Sequence, residues 1–573
     1  MTSPTTLTSP TSPTFQRRNP KSQRNHARQA MADAILLGLN SKRTSRADLW
    51  ATSHRVMGEP FPGPFTFDYH PWTKDMLCDD SEECVGQKAA QMAFTDSVAI
   101  NRTFFTIDKL KRDVLYVLPA KTPDATDFSA ARFDPALERS PYLSSLFTNV
   151  NNVGLKRAGA NSLYIRGSRS RSALKSLPVG LIILDEEDEF DQEAITLVRE
   201  RISGQREGAR QIWHISTPSI PGNGVNITFE RSTKAHFFFP CPHCNRQIEL
   251  KFPDSLEVTD NPAHSRYFCT ECKATITQEE KIVALRSGIW VAQKDSVIKG
   301  YQVNQMYSPV MSAPLFAQSY LLSLTSHVEE QEFHNSKLGE AHVVSGSSVN
   351  DTHIQACTIG SKMLAISSEA SLTSPQIEIK DAPIITIGVD VGSKLHVEID
   401  AWKMFRNTSI DINDNSIPSV VFAGKVESFD DVANLLYLFR ARMTIIDMQP
   451  ETQMALTLAR RYPERVKLCH YTNSPQNLVV FEERVNANRT FWLDRALGRI
   501  ITGMIKLPMD IPLDWKQEVQ RLVRVPGKDR DGNITYSYKK TGDDHFGHAR
   551  CYAEMALGCV YAGHTEIITE RKS

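Results

Sequence analysis

Two apolar runs in this chain end in carboxylates, and two CxxC pairs lie between them. The first run is Leu181–Phe190, LIILDEEDEF, in which Leu and Ile lead straight into Asp185, Glu186, Glu187, Asp188 and Glu189. Four apolar residues in a row predict a buried parallel strand. Five acids at its C-terminal end would repel one another unless something cationic sits among them. That end of an α/β sheet is where ligands bind. The pattern suits nucleotide hydrolysis, with Asp185 holding Mg²⁺ directly or through water and Glu186 polarising the attacking water. A strand followed by a solvated acidic helix start would give the same letters, because acids favour helix N-termini.

Nucleotide hydrolysis needs a phosphate-cradling loop upstream, and the glycine-rich GxxxxGK[ST] pattern is absent. The best candidate is Lys88–Asp96, KAAQMAFTD, followed by an apolar helical stretch. Thr95 would supply a hydroxyl to Mg²⁺, and the helix N-terminus would face the phosphates. Phe94 occupies the usual lysine position and Ala93 the preceding glycine position. Lys88, at the front of the loop, would reach the phosphates instead as a flexible point charge. Gln91 joins Lys88, Thr95 and Asp185 as a candidate nucleotide contact. An ordinary loop-to-helix junction remains the alternative. Lys156, Arg157, Arg166, Arg169, Arg171 and Lys175 form a basic stretch between the two motifs, from which an arginine finger or DNA-phosphate contacts would come. Ser216-Thr217-Pro218, after the next strand, is either a γ-phosphate sensor or a plain turn.

Cys241-Pro-His-Cys244 and Cys269-Thr-Glu-Cys272 are knuckles whose thiolates would converge on one tetrahedral Zn²⁺. A closed four-sulfur shell leaves no place for substrate, so this zinc is expected to be structural, with His243 a bystander.

The second acidic centre begins at Ile385–Asp390, ITIGVD, an apolar strand that turns and returns as an alternating strand through Trp402. Thr444–Asp447, TIID, is another apolar strand ending in an aspartate, and Asp543 and Asp544 precede the apolar helical stretch His545–Val560. Asp390, Asp447 and Asp544 would converge to hold two metal ions about 3.5–4 Å apart for phosphodiester cleavage. Asp543 would share or replace the last of them. Asp400 and Asp494 are possible impostors.

The elements that must position these groups fall into several domains, since 573 residues exceed a single core. The fold class expected is α/β multidomain. Residues 1–44 form a Ser/Thr/Pro-rich and basic tail with too little apolar surface to fold. Residues 45–235 are an ATPase domain on a P-loop NTPase-type parallel sheet, and 236–290 a zinc-ribbon-like Cys₄ insert. Residues 291–345 are a helical or lid subregion, 346–381 a polar linker, and 382–573 an RNase H-like nuclease domain. Lys plus Arg and Asp plus Glu balance at 66 each, so nucleic-acid binding would need local patches. Ten cysteines, four of them in CxxC pairs, suggest a metal site in a reducing compartment. No run of about 18 apolar residues predicts a membrane span, and the N-terminus lacks a signal-peptide core.

In order along the chain, KAAQMAFTD, DVLYVLPAKTPDATDFSAARFDPAL, LIILDEEDEF, HISTPS, the CPHC/CTEC pair, ITIGVDVG and DDHFGHA resemble the large terminase subunit of tailed bacteriophages, in its lambda-like branch. The resemblance spans roughly residues 45–560. It implies a viral DNA-packaging motor, in which an N-terminal ATPase pumps double-stranded DNA into a procapsid and a C-terminal nuclease cuts concatemers. It places Lys88 at a deviant phosphate loop, Asp185 as metal aspartate, Glu186 as catalytic glutamate, and Asp390, Asp447 and Asp544 as nuclease metal ligands. The cofactors implied are ATP, Mg²⁺ (or Mn²⁺ at the nuclease) and structural Zn²⁺. The implied partners are DNA, a small terminase subunit docking the basic N-terminus and a portal docking the C-terminus. A homo-oligomeric ring in the host cytoplasm, with no membrane, completes the expectation. Two other readings compete: a helicase-like nuclease of repair or recombination, and a zinc-containing DNA-binding scaffold with a decayed nucleotide site.

Overall fold

The computed structural model of the chain describes residues 46–561, apart from 149, 176, 191, 367–375, 378, 380–383, 403–416, 473–476 and 529–533. The expected N-terminal tail and the proposed C-terminal docking segment lie outside the described residues. Two α/β regions carry the two acidic strand ends.

The first is built on an eleven-stranded sheet. Its parallel centre runs, in spatial order, Ala235–Pro240, Lys299–Val303, Glu83–Lys88, Gln211–Ser216, Leu181–Asp185, Val114–Leu118 and Asn161–Gly167. The apolar runs are explained by burial on both faces. Val114, Tyr116, Leu181 and Ile183 point into the larger core, while Leu115, Val117, Ile182 and Leu184 point into a smaller one on the opposite side. Glu83–Lys88 leads into the phosphate-loop candidate, and Gln211–Ser216 separates it from the acidic strand. Both C-terminal ends therefore open on one edge, two strands apart. Phe94–Leu110 then forms a continuous helical segment, as the apolar pattern after the loop predicts.

Three boundaries differ from expectation. The cysteine segment is not a separate insert: its leading strand Ala235–Pro240 and trailing strand Ile289–Val291 pair with each other within the large sheet. Cys241, Cys269, Leu250 and Tyr267 also belong to the same core as the phosphate-loop helix. Residues 291–345 are not only helical, because Lys299–Val303 inserts between Ala235–Pro240 and Glu83–Lys88. The linker also begins later than expected. Asn350 caps a helix at Asp351–Cys357, with His353 closing a reciprocal capping box, and Val349, Ile354 and Cys357 are buried in the C-terminal core.

The second region is a seven-stranded sheet in the order Pro418–Val426, Leu395–Trp402, Ile384–Val391, Met443–Asp447, Val466–Thr472, Arg484–Asn488 and Leu478–Val480. The first three strands form an antiparallel meander, and Met443–Asp447 lies parallel to Ile384–Val391. Val389 is registered with Ile446, so Asp390 and Asp447 leave the sheet side by side. The helix His545–Tyr561 lies directly on this sheet, with Ala549, Tyr552 and Ala556 in the core. Gly388 permits that approach: a Cβ there would meet the Ala549 carbonyl oxygen at 2.0 Å. The contact brings the start of the helix, and Asp544 with it, to the edge that carries Asp390.

Candidate nucleotide and metal sites

Lys88, Gln91, Ala93, Thr95, Asp185 and Glu186 line one cavity of about 260 Å³ at the edge of the first sheet. Lys88 is the last residue of its strand, and its buried Nζ lies 3.2 Å from Glu186 Oε1 and 3.5 Å from Thr217 Oγ1. Thr95 sits at the start of its helix with Oγ1 3.3 Å from both carboxylate oxygens of Asp185. Asp185 also accepts a 2.5 Å hydrogen bond from the Tyr116 hydroxyl on the adjacent strand. Burial, followed by the charge of Glu186, pushes the Asp185 carboxyl up to about 6 against Lys88, Tyr116 and Thr95.

The backbone around this cavity is unusual. Gln91, Ala93 and Glu186 have φ of 60°, 64° and 61°, in the left-handed region that side chains with a Cβ disfavour. Ala93 thus adopts the conformation for which a phosphate loop ordinarily uses glycine, although its side chain departs from the pattern. Glu186 leaves the strand in this conformation with its N–H bonded to the Ile215 carbonyl at 2.9 Å, and about half of its side chain remains exposed to the cavity.

The five acids do not share one cation; each has its own partner. Glu187 is buried 2.6 Å from His214 Nδ1. Asp188 accepts from the Ser219 N–H and hydroxyl, the Val225 N–H and Asn223. Glu189 lies 3.2 Å from Lys539, on the hairpin Leu522–Lys528/Ile534–Lys540 of the C-terminal region. Burial opposes protonation of His214, but Glu187 and Glu83 outweigh it and hold the imidazole at about 9.

Sequence inspection missed Arg132, which reaches the cavity from the helical stretch after Val114–Leu118 and pairs with Asp96 at 3.1 Å. Of the basic stretch, Lys156 is fully buried against Asp134, and Arg166 bonds the carbonyls of Gly154 and Ile165. Arg169 lines a space shared with Glu186 and Arg132. No local signal separated these arginines, because the choice depends on which loops meet.

Cys241, Cys244, Cys269 and Cys272 bring their sulfurs within 4.8 Å of one another. The Cys241–Cys272 and Cys244–Cys269 separations are both 3.9 Å. Tetrahedral zinc with Zn–S bonds of about 2.3 Å requires sulfurs about 3.8 Å apart. The donor set and spacing therefore fit Zn²⁺. His243 turns away to the Thr275 carbonyl at 2.9 Å.

At the second centre Asp390 pairs with His545 Nδ1 at 2.7 Å, and Asp544 lies 3.4 Å from His548 Nε2. Burial and then the charge of Asp390 push the Asp447 carboxyl up to about 6. Burial acts upward on Asp544 too, but His548, Lys540 and Arg489 hold it below its usual value. Asp543 is exposed at the same helix start. Among the described residues the four cysteines are the only such group of three or more with ligand atoms within 4.8 Å, so the carboxylates are not gathered that closely. The histidines around them, including His396 stacked on His545 at 4.6 Å, were not foreseen. Asp400 and Asp494 face elsewhere. Asp400 is buried against Arg550, and Asp494 pairs with Arg524 at 2.6 Å.

Residues 60–290 match the family model described as phage terminase large subunit gpA, ATPase domain. The match covers less than half of the chain, and over it the chain is similar to the large terminase subunits of phages. Among curated proteins, the terminase large subunit of Escherichia phage lambda is 22% identical over 293 residues, covering 44% of this chain and 45% of its own length. That of Enterobacteria phage P21 is 23% identical over 226 residues, covering 36% and 34%. The chain spans less than half the length of these relatives. Among solved structures, the large terminase of bacteriophage HK97 aligns at 13% identity over 89% of this chain and 99% of that one, with a TM-score of 0.49.

Proposed function

We propose that this chain is an ATP-driven motor that moves double-stranded DNA into a viral procapsid and cuts concatemeric DNA with a metal-dependent endonuclease centre. The observation that carries the proposal is the convergence of Lys88, Thr95, Asp185 and Glu186, from two segments about ninety residues apart, on one cavity at the C-terminal edge of a parallel sheet. On this reading residues 45–235, with the later strands that complete the sheet, form a P-loop NTPase-type domain. Lys88 binds the phosphates and Gln91 borders them. Thr95 and Asp185 hold Mg²⁺, which would neutralise charge developing on the transferred phosphoryl group. Glu186 polarises the attacking water by accepting a hydrogen bond from it, with Lys88 withdrawing to phosphate and releasing its carboxylate. Thr217, beside Lys88, senses the terminal phosphate.

The second sheet, a three-strand meander followed by parallel strands, supports an RNase H-like nuclease assignment. Asp390, Asp447 and Asp544, with Asp543 beside the last, would hold Mg²⁺ or Mn²⁺, which would supply water activation for phosphodiester cleavage. His545 and His548 fix the carboxylates that they touch. Cys241, Cys244, Cys269 and Cys272 hold structural Zn²⁺. The family supports the further proposal of a ring on a portal, in the host cytoplasm, with DNA selected by a small terminase subunit. No helix among the described residues is long and apolar enough to cross a membrane.

The test uses the full chain with linear DNA and plasmid, in Mg²⁺ and in Mn²⁺. DNA-stimulated ATP hydrolysis lost in Glu186→Gln, and plasmid cleavage lost in Asp390→Asn, would support the proposal. A wild-type chain that is folded but shows neither activity would refute it. Strand unwinding on forked substrates would transfer it to the helicase-like class.

A further inference from the structure

A second cavity, of about 320 Å³, adjoins the phosphate loop. One wall is the loop itself, through Gln91, Ala93 and Ser97; another carries Phe61 and Tyr69, stacked at 4.0 Å. A further wall is the turn Ser308-Pro309-Val310. A mixed aromatic and polar space beside a phosphate site suits a flat heterocycle joined to a polyphosphate.

The turn is held in place by the cysteine module. Lys281 lies on the helix Gln278–Leu285, which begins directly after the module's last strand, Thr275–Ile276. Its side chain is fully buried, and Nζ donates to the carbonyls of Met306, Ser308 and Met311 at 2.8, 3.1 and 2.8 Å. It also lies 4.7 Å from the centre of the Tyr267 ring, within the module. On the same helix Gln278 Nε2 donates to the Pro309 carbonyl at 2.6 Å. A lysine amine donating to carbonyls on both sides of the turn and within it, with Gln278 on Pro309, fixes that turn's position. A second, separate connection reaches the phosphate loop. Trp290, on the strand that trails the module, donates to the Trp72 carbonyl at 2.8 Å, and Trp72 donates to the Met92 carbonyl at 3.0 Å.

We propose that Lys281 and Gln278 are positioning residues through which the cysteine module shapes the base-side wall of the nucleotide cleft, so that the module governs recognition of the nucleoside rather than of the phosphates. The inference rests on the nucleotide reading of the first cavity. The module then serves as a buttress for ligand selection as well as a local fold.

The test compares Mg²⁺-ATP with Mg²⁺-tripolyphosphate, which shares the phosphates and lacks the nucleoside, by calorimetry on the full chain. In Lys281→Met the ATP Kd should rise about tenfold, the change expected on losing one well-placed contact, while the tripolyphosphate Kd stays within about twofold. In turnover the KM for ATP should rise with kcat largely kept. Zinc content and the melting curve would establish that the variant is folded. Should Lys281→Met fail to fold, Gln278→Ala carries the test, with the same pattern at about threefold. Equal losses for both ligands, or no loss for ATP in a folded variant, would overturn the inference. A wild-type chain that binds neither ligand removes the nucleotide reading itself. Wild type that binds both, with variants indifferent to the substitution, removes only the role of Lys281 and Gln278.

Discussion

The two acidic centres solve the same electrostatic problem with different partners. At the first, Asp185 is held by two hydroxyls, Tyr116 and Thr95, and Glu186 by the buried cation Lys88. At the second, Asp390 and Asp544 are held by imidazoles, His545 and His548. Beneath the second centre lies a further buried network, built on arginine where the one behind the first is built on His214. Arg550 donates to Glu398 at 2.7 Å, to Asp400 and to Glu554 at 2.7 Å, and Arg499 donates to Glu554 at 2.8 Å. The contrast teaches that burial and charge alone do not make a site: Asp185 and Glu186 border a cavity, whereas Asp400 is sealed in. Burial and the charge of Glu398 push the Asp400 carboxyl up to about 8 against Arg550, yet it faces no opening.

The sharpest way to break the comparison is to neutralise one centre at a time. Asp390→Asn should lower DNA cleavage about a thousandfold or more and leave ATP hydrolysis at the wild-type rate, and Glu186→Gln should do the reverse. If either substitution silenced both activities in a folded chain, the two centres would not be independent. Next in size, Arg550→Met should destabilise the chain by about 3–5 kcal/mol, because it takes the cation from buried Glu398 and Asp400, while Glu554 keeps Arg499. Denaturant unfolding would register it, and a loss under about 1 kcal/mol would mean that water or rearrangement satisfies them.

His214 tests the first region through pH. It faces Glu187, Glu83 and Arg199, and its folded pKa of about 9 lies above the unfolded value of about 6.5. A raised histidine pKa contributes stability that is fully present below about 6.5 and lost as pH rises through about 9, at most about 3 kcal/mol. His214→Gln should flatten the melting temperature across that window. An equally steep wild-type and variant profile would assign the slope to other groups. The smallest effect is expected at Arg132, exposed at the cavity mouth: Arg132→Ala should weaken Mg²⁺-ATP binding about tenfold, as measured by calorimetry, without moving the melting temperature.

What was legible in the sequence was local. LIILD and ITIGVD announce buried strands because Ile, Leu and Val dominate both and no charge precedes the final aspartate, and the structure buries both of their faces. The CxxC pairs announce convergence because a knuckle's geometry is set within four residues. The placement of Lys299–Val303 between Ala235–Pro240 and Glu83–Lys88 was not legible, because its partners lie about sixty and two hundred residues upstream and its own letters, KGYQV, carry no strong alternation. The helix Asp351–Cys357 was hidden by the Ser/Thr-rich residues around it, although Asn350 and His353 supplied a capping signal. The histidines of the second centre gave no warning for a related reason. His396, His545 and His548 come from a strand and a helix about 150 residues apart and meet only because Gly388 lets the helix lie on the sheet.

The left-handed backbone at Gln91, Ala93 and Glu186 has a bearing on how this protein would respond to selection. Each position costs on the order of 1 kcal/mol relative to glycine, and all three border the same cavity. A population screened only for heat tolerance would therefore be drawn toward glycine at those places. Ala93 would yield with little harm, since its methyl does no chemistry. Glu186 would yield its carboxylate. If the cleft hydrolyses nucleotide as proposed, thermal robustness and turnover would be set against each other there, one residue at a time.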